Sequence, residues 1–268
     1  MPMSLIEFRK ISKRFGRQVV LDHIDLKIEE GQSLVIIGAS GSGKSVMLKH
    51  IVGLLCPDEG EVWFDGRRID ELPERKLADI RVQFGFLFQM GALFDSMNVE
   101  DNVAFPVVEH TNKPPEEISR IVDEKLRMVG LPETRKKMPG ELSGGQKKRV
   151  ALARAIALEP RVILYDEPTT GLDPIRADVI NELIIKLKNE LKVTSIVVTH
   201  DMHSAFKIAD RIVMIHNSKL IFDGTPQQIR ESQDQIIHHF VTGEATEEEL
   251  AGLNDSGNGR KSPENGRQ

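Results

Sequence analysis

Residues 38–45 read Gly-Ala-Ser-Gly-Ser-Gly-Lys-Ser and fit the pattern G-x-x-x-x-G-K-[ST]. In such a loop, backbone N–H groups surround phosphate oxygens, the lysine contacts the β- and γ-phosphates, and the serine hydroxyl binds Mg²⁺. The pattern carries this meaning where a strand precedes it and a helix follows. Residues 34–37 are an apolar, strand-sized run, and residues 46–55 have a helical pattern. The stretch therefore predicts a phosphate-binding loop in an α/β fold.

The loop and the start of the next helix supply the predicted contacts to ATP. Lys44 is expected to bridge the β- and γ-phosphates, and Ser45 is expected to bind Mg²⁺. Backbone amides and the helix N-terminus add fixed positive potential. The alternative is a turn with an incidental lysine, which chance produces in about one chain in a hundred of this length. The full predicted ATP-binding set from this stretch is Gly38, Ala39, Ser40, Gly41, Ser42, Gly43, Lys44, Ser45 and Val46.

A second motif places two carboxylates at the end of a strand. The apolar residues 162–165 are followed by Asp166 and Glu167. Ligands of parallel sheets bind at the carboxyl ends of the strands. Asp166 is the predicted acidic member of the Mg²⁺ shell, the role that the acidic residue of the corresponding strand has in P-loop NTPases. Glu167 is the predicted polarising group for the attacking water.

Composition limits the class of protein. The chain has 268 residues, 40% of them hydrophobic, and a net charge of -5, so nucleic acid is not expected as a partner. The basic clusters at residues 135–137 and 147–149 are predicted to lie on solvated helix faces. Cys56 is the single cysteine, which suits a reducing compartment. No apolar run approaches the ~18 residues of a membrane span.

Hydrophobic patterning predicts the remaining organisation. Residues 5–28 alternate as an antiparallel pair, and residues 63–69 form a hairpin. Residues 90–150 are mainly helical. Further strands of a parallel sheet are expected at residues 162–165, 195–199 and 211–215, with a helix at residues 175–191. Residues 229–241 predict one terminal helix, which either docks on a neighbouring subunit or packs on its own body.

A third motif, Leu-Ser-Gly-Gly-Gln at residues 142–146, narrows the family. Together with the glycine-rich loop and the two carboxylates, it resembles the ATPase subunits of ATP-binding-cassette (ABC) transporters. The resemblance implies an α/β P-loop NTPase cassette with a RecA-like parallel-sheet core, a small antiparallel β subdomain and a helical subdomain. It implies an ATP-binding domain over residues 4–243, with the helical subdomain at about 90–150. Residues 244–268 are polar, and we expect a disordered tail there.

The resemblance also assigns single residues. Gln89 is expected to reach Mg²⁺ and the attacking water, and His200 to contact the γ-phosphate. Asp173 matches the D-loop. Phe15 takes the place of the aromatic residue that stacks on adenine, where the family more often has tyrosine, and its alternative is a core position in the first sheet.

The signature motif is expected to act between two copies of the chain. Ser143 is predicted to cap a helix whose amide dipoles point outward at an anion. The family arrangement implies a head-to-tail homodimer, in which each signature covers the ATP bound by the other copy. The residues assigned to this contact are Leu142, Ser143, Gly144, Gly145 and Gln146.

Residues 91–96 (GALFDS) and 102–106 (NVAFP) most resemble the ATPase of MCE-type phospholipid transporters, the Mla system and its plastid relatives. Leu93, Phe94, Met97 and Phe105 are then expected to line a groove for a permease helix, and their alternative is the core of the helical lobe. The implied partners are an integral-membrane permease, a second ATPase copy, an MCE-domain lipid-binding protein and a STAS-domain regulator. The implied location is peripheral, on the cytoplasmic face of the inner membrane.

Other transport functions stay open. Residues 146–149 (QKKR) resemble importers of amino acids and other solutes as much as the Mla branch, so the alternative is an importer of a small polar solute. A third possibility is a soluble ABC ATPase acting on DNA or ribosomes. It is disfavoured because the chain has neither a long coiled-coil insertion nor a second cassette.

Overall fold

The computed structural model describes residues 4–244, which divide after Pro226 into two compact units. The strands are β1 (Ser4–Phe15), β2 (Gln18–Glu29), β3 (Ser33–Ile37), β4 (Glu59–Phe64), β5 (Arg67–Arg68), β6 (Phe84–Leu87), β7 (Val162–Asp166), β8 (Thr194–Val198), β9 (Arg211–His216) and β10 (Lys219–Gly224). The helices are α1 (Lys44–Ile51), α2 (Glu74–Arg81), α3 (Val99–His110), α4 (Pro115–Met128), α5 (Gly144–Ala155), α6 (Pro174–Leu191), α7 (Met202–Ile208), α8 (Pro226–Arg230) and α9 (Gln235–Thr242).

A six-stranded sheet forms the centre of the first unit. Its order is β10-β9-β3-β8-β7-β6, and its strands are parallel except for β10, which pairs antiparallel with β9. Every residue of β3 and β8 is buried, as expected for strands covered on both faces. The predicted parallel sheet and α/β class are confirmed. The carboxyl ends of β3, β6, β7 and β8 lie at one edge, where the functional loops begin.

A smaller antiparallel sheet, β2-β1-β4-β5, packs on the same core. Its hairpin between β4 and β5 turns at Asp65 and Gly66, with φ of 50° and 72°, as a two-residue turn requires. Phe8 and Ile24 from this sheet and Leu34 and Leu164 from the parallel sheet belong to one buried apolar cluster. The phosphate-binding loop therefore stands between two sheets that share a core.

Three α-helices, α3 to α5, separate β6 from β7. Asn102 on α3 is buried, and its amide accepts from Phe94 N (2.8 Å) and donates to the carbonyls of Phe94, Met97 and Asn98. This side chain fixes the loop that leads into α3.

The predicted solvated face at residues 135–137 is wrong for Arg135. Its guanidinium group donates to Glu100, Asp123 and Ser119, and its side chain is only 22% exposed. These contacts hold the segment after α4 against α3 and α4. A count of charges in sequence cannot anticipate this, because the acids come from two different helices.

The single terminal helix predicted at residues 229–241 is also wrong. The chain forms α8 and α9 with a break between them. Asp234 starts the second helix, since its carboxylate accepts from the amides of Ile236 (2.9 Å) and Ile237 (3.2 Å). The predicted disordered tail lies outside the described residues from position 245 onward. Within residues 4–244, no helix has the length and apolar character to cross a membrane.

Candidate nucleotide-binding and hydrolysis site

The glycine-rich loop connects β3 to α1, and two of its glycines are required by close backbone contacts. Gly38 has φ of +151°, and a Cβ there would lie 2.4 Å from the Ile215 carbonyl oxygen. Gly43 has φ of +105°, and its Cβ would lie 2.8 Å from the Val20 carbonyl oxygen. Both φ values are ones that side-chain-bearing residues rarely adopt. The loop can therefore take this path only with glycine at these positions.

Lys44 opens α1 and lies against the loop. Its Nζ donates to the carbonyl oxygens of Gly38 (2.8 Å) and Ala39 (2.9 Å), and the residue is 6% exposed. Burial lowers the pKa of Lys44, while the nearby charges of Glu167 and Asp166 oppose that change. The site thus holds a cation at the end of a loop of backbone amides, an arrangement that attracts phosphate.

Ser45 and Asp166 come together at the edge of the sheet, as the sequence predicts. Ser45 Oγ donates to Asp166 Oδ1 at 3.1 Å. Burial raises the pKa of Asp166, the bond from Ser45 opposes this, and the neighbouring Glu167 charge adds to it. Hydroxyl and carboxylate oxygens are ligands that Mg²⁺ prefers, and Mg²⁺ is commonly held by one or two carboxylates plus substrate phosphates. These residues therefore fit a Mg²⁺ ion that arrives with a nucleotide.

Gln89 lies at the same edge of the sheet. Gln89 follows β6, and Leu87 at the end of β6 pairs with Tyr165 of the neighbouring strand β7. The Gln89 side chain is exposed. In residues 4–244, no group of three or more His, Cys, Asp or Glu side chains could hold a metal ion. A metal at this edge would depend on the Ser45 and Asp166 oxygens and on ligands from solution.

Glu167 is held in a fixed position just beyond β7. Its φ is +51°, and its amide donates to the Val198 carbonyl at 2.9 Å. The carboxylate accepts from Thr170 Oγ1 at 3.1 Å and Thr199 Oγ1 at 3.4 Å, and it lies 2.9 Å from His200 Nδ1. The Glu167 side chain is 13% exposed and that of His200 is 61% exposed. The two residues predicted from separate motifs are thus in direct contact.

The signature residues begin α5. Ser143 Oγ accepts from the Gln146 amide at 3.3 Å, and the Gln146 side chain accepts from the Ser143 amide at 3.0 Å. This reciprocal capping leaves the glycine amides at the helix start. A Cβ on Gly145 would lie 3.7 Å from Arg176, next to Asp173, which caps α6 through the Arg176 amide at 3.0 Å. The signature and D-loop segments are therefore neighbours within one chain.

Phe15 ends β1 and is 48% exposed, so the alternative of a core position is wrong. Lys13 Nζ lies 5.7 Å from the centre of its ring. The ring is open to a stacking partner.

Lys148 is a residue that sequence reasoning missed, because the cluster at residues 147–149 is predicted to be solvated. It is 5% exposed, and its ammonium group donates to the carbonyls of Glu167 (3.2 Å), Pro168 (2.6 Å) and Thr170 (2.8 Å). Burial lowers its pKa to about 8. Helical spacing could have identified Lys148, because it places position 148 on the same buried face of α5 as residues 145 and 152.

An apolar groove of about 430 Å³ lies between β6 and the helical lobe. Phe94 and Phe105 line it, with ring centres 4.8 Å apart, as predicted. Leu93 and Met97 do not line it, which corrects the predicted set. Its walls also include Phe84, Phe86, Phe88, Pro106, Arg154 and Leu158.

Three comparisons place these features among known proteins. A chain from Haemophilus influenzae, the intermembrane phospholipid transport system ATP-binding protein MlaF, is 45% identical over 245 residues, covering 91% of this chain and 93% of that one. The probable ribonucleotide transport ATP-binding protein mkl of Mycobacterium leprae is 43% identical over 244 residues, covering 91% of this chain and 70% of that one. A solved dimeric ATP-binding cassette in a post-hydrolysis state, bound to ADP and Pi, matches with a TM-score of 0.76 and 34% identity. It covers 82% of this chain and 98% of that one.

The family model described as ABC transporter matches residues 21–170, which contain the phosphate-binding loop, the signature and both strand-end carboxylates. With the cassette fold and the contacts among Ser45, Asp166, Glu167 and His200, this match settles the family. The chain belongs to the ABC transporter family and is an ATPase subunit of that family.

Proposed function

We propose that the protein hydrolyses ATP to drive phospholipid transport through a separate membrane permease. The observation that carries the phospholipid assignment is the 45% identity, over nine tenths of both chains, with an ATPase named for intermembrane phospholipid transport. The geometry of the site supports the hydrolytic part. A buried lysine, a hydroxyl–carboxylate pair and a fixed glutamate beside a histidine all meet at one edge of the sheet.

In the proposed reaction, Lys44 and the loop amides bind the β- and γ-phosphates, and Phe15 stacks on the adenine. Ser45 and Asp166, with Gln89, hold Mg²⁺, which when bound neutralises charge on the phosphates. Glu167 orients the attacking water and polarises it. Its three contacts keep the carboxylate fixed, and fixed geometry is a large part of catalysis in phosphoryl transfer. His200, on the exposed side of Glu167, contacts the γ-phosphate.

We propose that ATP binds between two copies of the chain. The capped start of α5 presents the amides of Gly144 and Gly145 with the positive end of the helix dipole. In a head-to-tail dimer, Ser143 and these amides contact the ATP held by the other copy, and Asp173 lies beside them. ATP then stabilises the closed dimer and hydrolysis releases it, because ATP binds that state selectively.

The partners and location follow from the same proposal. The groove containing Phe94 and Phe105 receives a segment of the permease, so the protein sits peripherally at the cytoplasmic face of the inner membrane. An MCE-domain protein carries the lipid, and a STAS-domain protein regulates the complex. A second candidate function is ribonucleotide transport, favoured by the name of the relative that is 43% identical.

In the deciding experiment, the protein is purified together with its permease, and the two are reconstituted in proteoliposomes. We expect ATP to drive transfer of a fluorescent phospholipid to acceptor vesicles, and a Glu167→Gln variant to abolish it. Radiolabelled ribonucleotide uptake is measured in the same vesicles. ATP-dependent ribonucleotide uptake without phospholipid transfer would replace the first proposal with the second.

A further inference from the structure

Lys148 connects the signature helix to the loop that carries Glu167. It lies on α5, four residues after Gly144, and its aliphatic stem is buried with the inner face of that helix. Its ammonium group has three protons, and three carbonyl oxygens accept from it at 2.6–3.2 Å. All three carbonyls belong to the segment between Glu167 and Thr170. The contact is therefore a three-point attachment between two functional segments that lie 19 to 22 residues apart in sequence.

Thr170 extends this attachment to the catalytic carboxylate. Its carbonyl accepts from Lys148, and its hydroxyl donates to Glu167 Oε2 at 3.1 Å. Its amide also donates to the Glu167 carbonyl at 3.3 Å. A displacement of Lys148 thus acts on Glu167 both through the backbone carbonyl of Glu167 and through the threonine.

The backbone of Glu167 needs such support. Its φ of +51° is unusual for a residue with a side chain, and conformations of this kind persist where surrounding contacts enforce them. The Val198 carbonyl holds the amide of Glu167 from β8, and Lys148 holds its carbonyl from α5. Burial of the ammonium group makes these bonds strong, since water competes little for the donors.

We propose that Lys148 is a positioning residue that transmits the position of the signature helix to Glu167 of the same chain. The inference rests on the proposed function, in which α5 contacts the ATP of the other copy. In that dimer the signature of a given chain contacts the ATP held by the other copy, whereas Glu167 of the same chain acts on the ATP held by its own copy. Lys148 thereby makes hydrolysis at one site depend on nucleotide occupancy at the second.

The test is the substitution Lys148→Met in the full-length chain, which keeps the buried stem and removes all three donors. We expect kcat for ATP hydrolysis to fall about 10- to 100-fold, as for a misplaced catalytic group, with KM for ATP within about twofold of wild type. The wild-type protein should show a Hill coefficient for ATP above one, and the coefficient of the Lys148→Met variant should fall towards one. Lys148→Arg, which retains donors and charge, should recover most of the lost kcat.

Lys186→Met is a surface control, at a lysine whose side chain is 47% exposed. That lysine, on α6, also donates to a backbone carbonyl, that of Met128 at 3.1 Å, but it does not contact the Glu167 segment. We expect its kcat and Hill coefficient to match wild type. Lys148→Gln, with two donors, replaces the methionine variant if that chain does not fold, and should lower kcat by about 3- to 10-fold.

A second variant tests the path through Thr170. Thr170→Val removes the hydroxyl bond to Glu167 and keeps the carbonyl. Its effect on kcat should combine with that of the Lys148 variant less than additively, because both act on one carboxylate. Wild-type kcat and cooperativity in the folded Lys148 variants would overturn the inference and leave the proposed function standing. An inactive wild-type chain would instead count against the proposed function.

Discussion

Gly38→Ala tests the phosphate-binding loop through a single added methyl group. The new Cβ would lie 2.4 Å from the Ile215 carbonyl oxygen and 2.8 Å from Ser42 Oγ. The serine hydroxyl can rotate away, but the carbonyl belongs to β9, which is paired with β3 and β10. The strand cannot withdraw without breaking the sheet, so the loop has to move.

The expected magnitude has two parts. A φ of +151° with a side chain costs about 1–3 kcal/mol, and forcing an atom into a packed site costs another ~1–3 kcal/mol. If the loop moves, we expect the distortion to weaken the free energy of ATP binding by about 3 kcal/mol, which is a loss of roughly 100-fold in ATP affinity. The remaining cost appears as lower stability of the free protein.

Calorimetric titration with ATP and urea unfolding measure the two quantities. Gly31→Ala is the control, because Gly31 has φ of +76° and no atom within 4 Å of its Cβ position. That variant should lose about 1 kcal/mol of stability and keep its ATP affinity. The reasoning fails if Gly38→Ala binds ATP as wild type does and is no less stable than the control.

Three further predictions concern single contacts. Ser45→Ala removes a proposed Mg²⁺ ligand together with the hydrogen bond to Asp166. It should raise the Mg²⁺ concentration for half-maximal ATPase activity about tenfold, and an unchanged Mg²⁺ dependence would contradict the proposed role of Ser45. Arg135 lowers the pKa of Glu100 to about 2, so the charged carboxylate stabilises the folded protein. Glu100→Gln should therefore lower the free energy of unfolding by about 1 kcal/mol, after allowance for solvent screening. Urea unfolding should show this difference in stability between wild type and variant above pH 4.5, and the difference should disappear towards pH 2. A difference that does not change with pH would contradict the prediction. Asn102→Leu should cost about 2–4 kcal/mol by leaving backbone groups of the loop before α3 unpaired, and a stable variant would argue against that anchoring.

The central elements could be predicted because their signals are local. The run at residues 34–37 and the glycine loop define a strand, a turn and a helix start without knowledge of any distant residue. Asp166 and Glu167 follow a buried strand, and the rules for parallel sheets bring such strand ends together. The contact between Ser45 and Asp166 is the direct consequence.

Other features depend on distant partners. Lys148 is buried because three carbonyls from the segment after β7 converge on it, and nothing in residues 147–149 indicates those acceptors. The break between α8 and α9 depends on whether Asp234 caps a new helix or lies on the surface of one helix, and both are compatible with its sequence context. Leu93 and Phe94 are adjacent and both apolar, yet only Phe94 lines the groove.

The most direct measurement is the mass of the Glu167→Gln variant in solution, by light scattering, with and without Mg²⁺–ATP. The substitution keeps the shape of the side chain and removes the carboxylate that is proposed to polarise water, so ATP should bind without being hydrolysed. The account predicts a monomer of about 30 kDa without nucleotide and a stable dimer with ATP, which Ser143→Arg prevents. A variant that stays monomeric at saturating ATP would contradict the claim that ATP is bound between two copies of this chain.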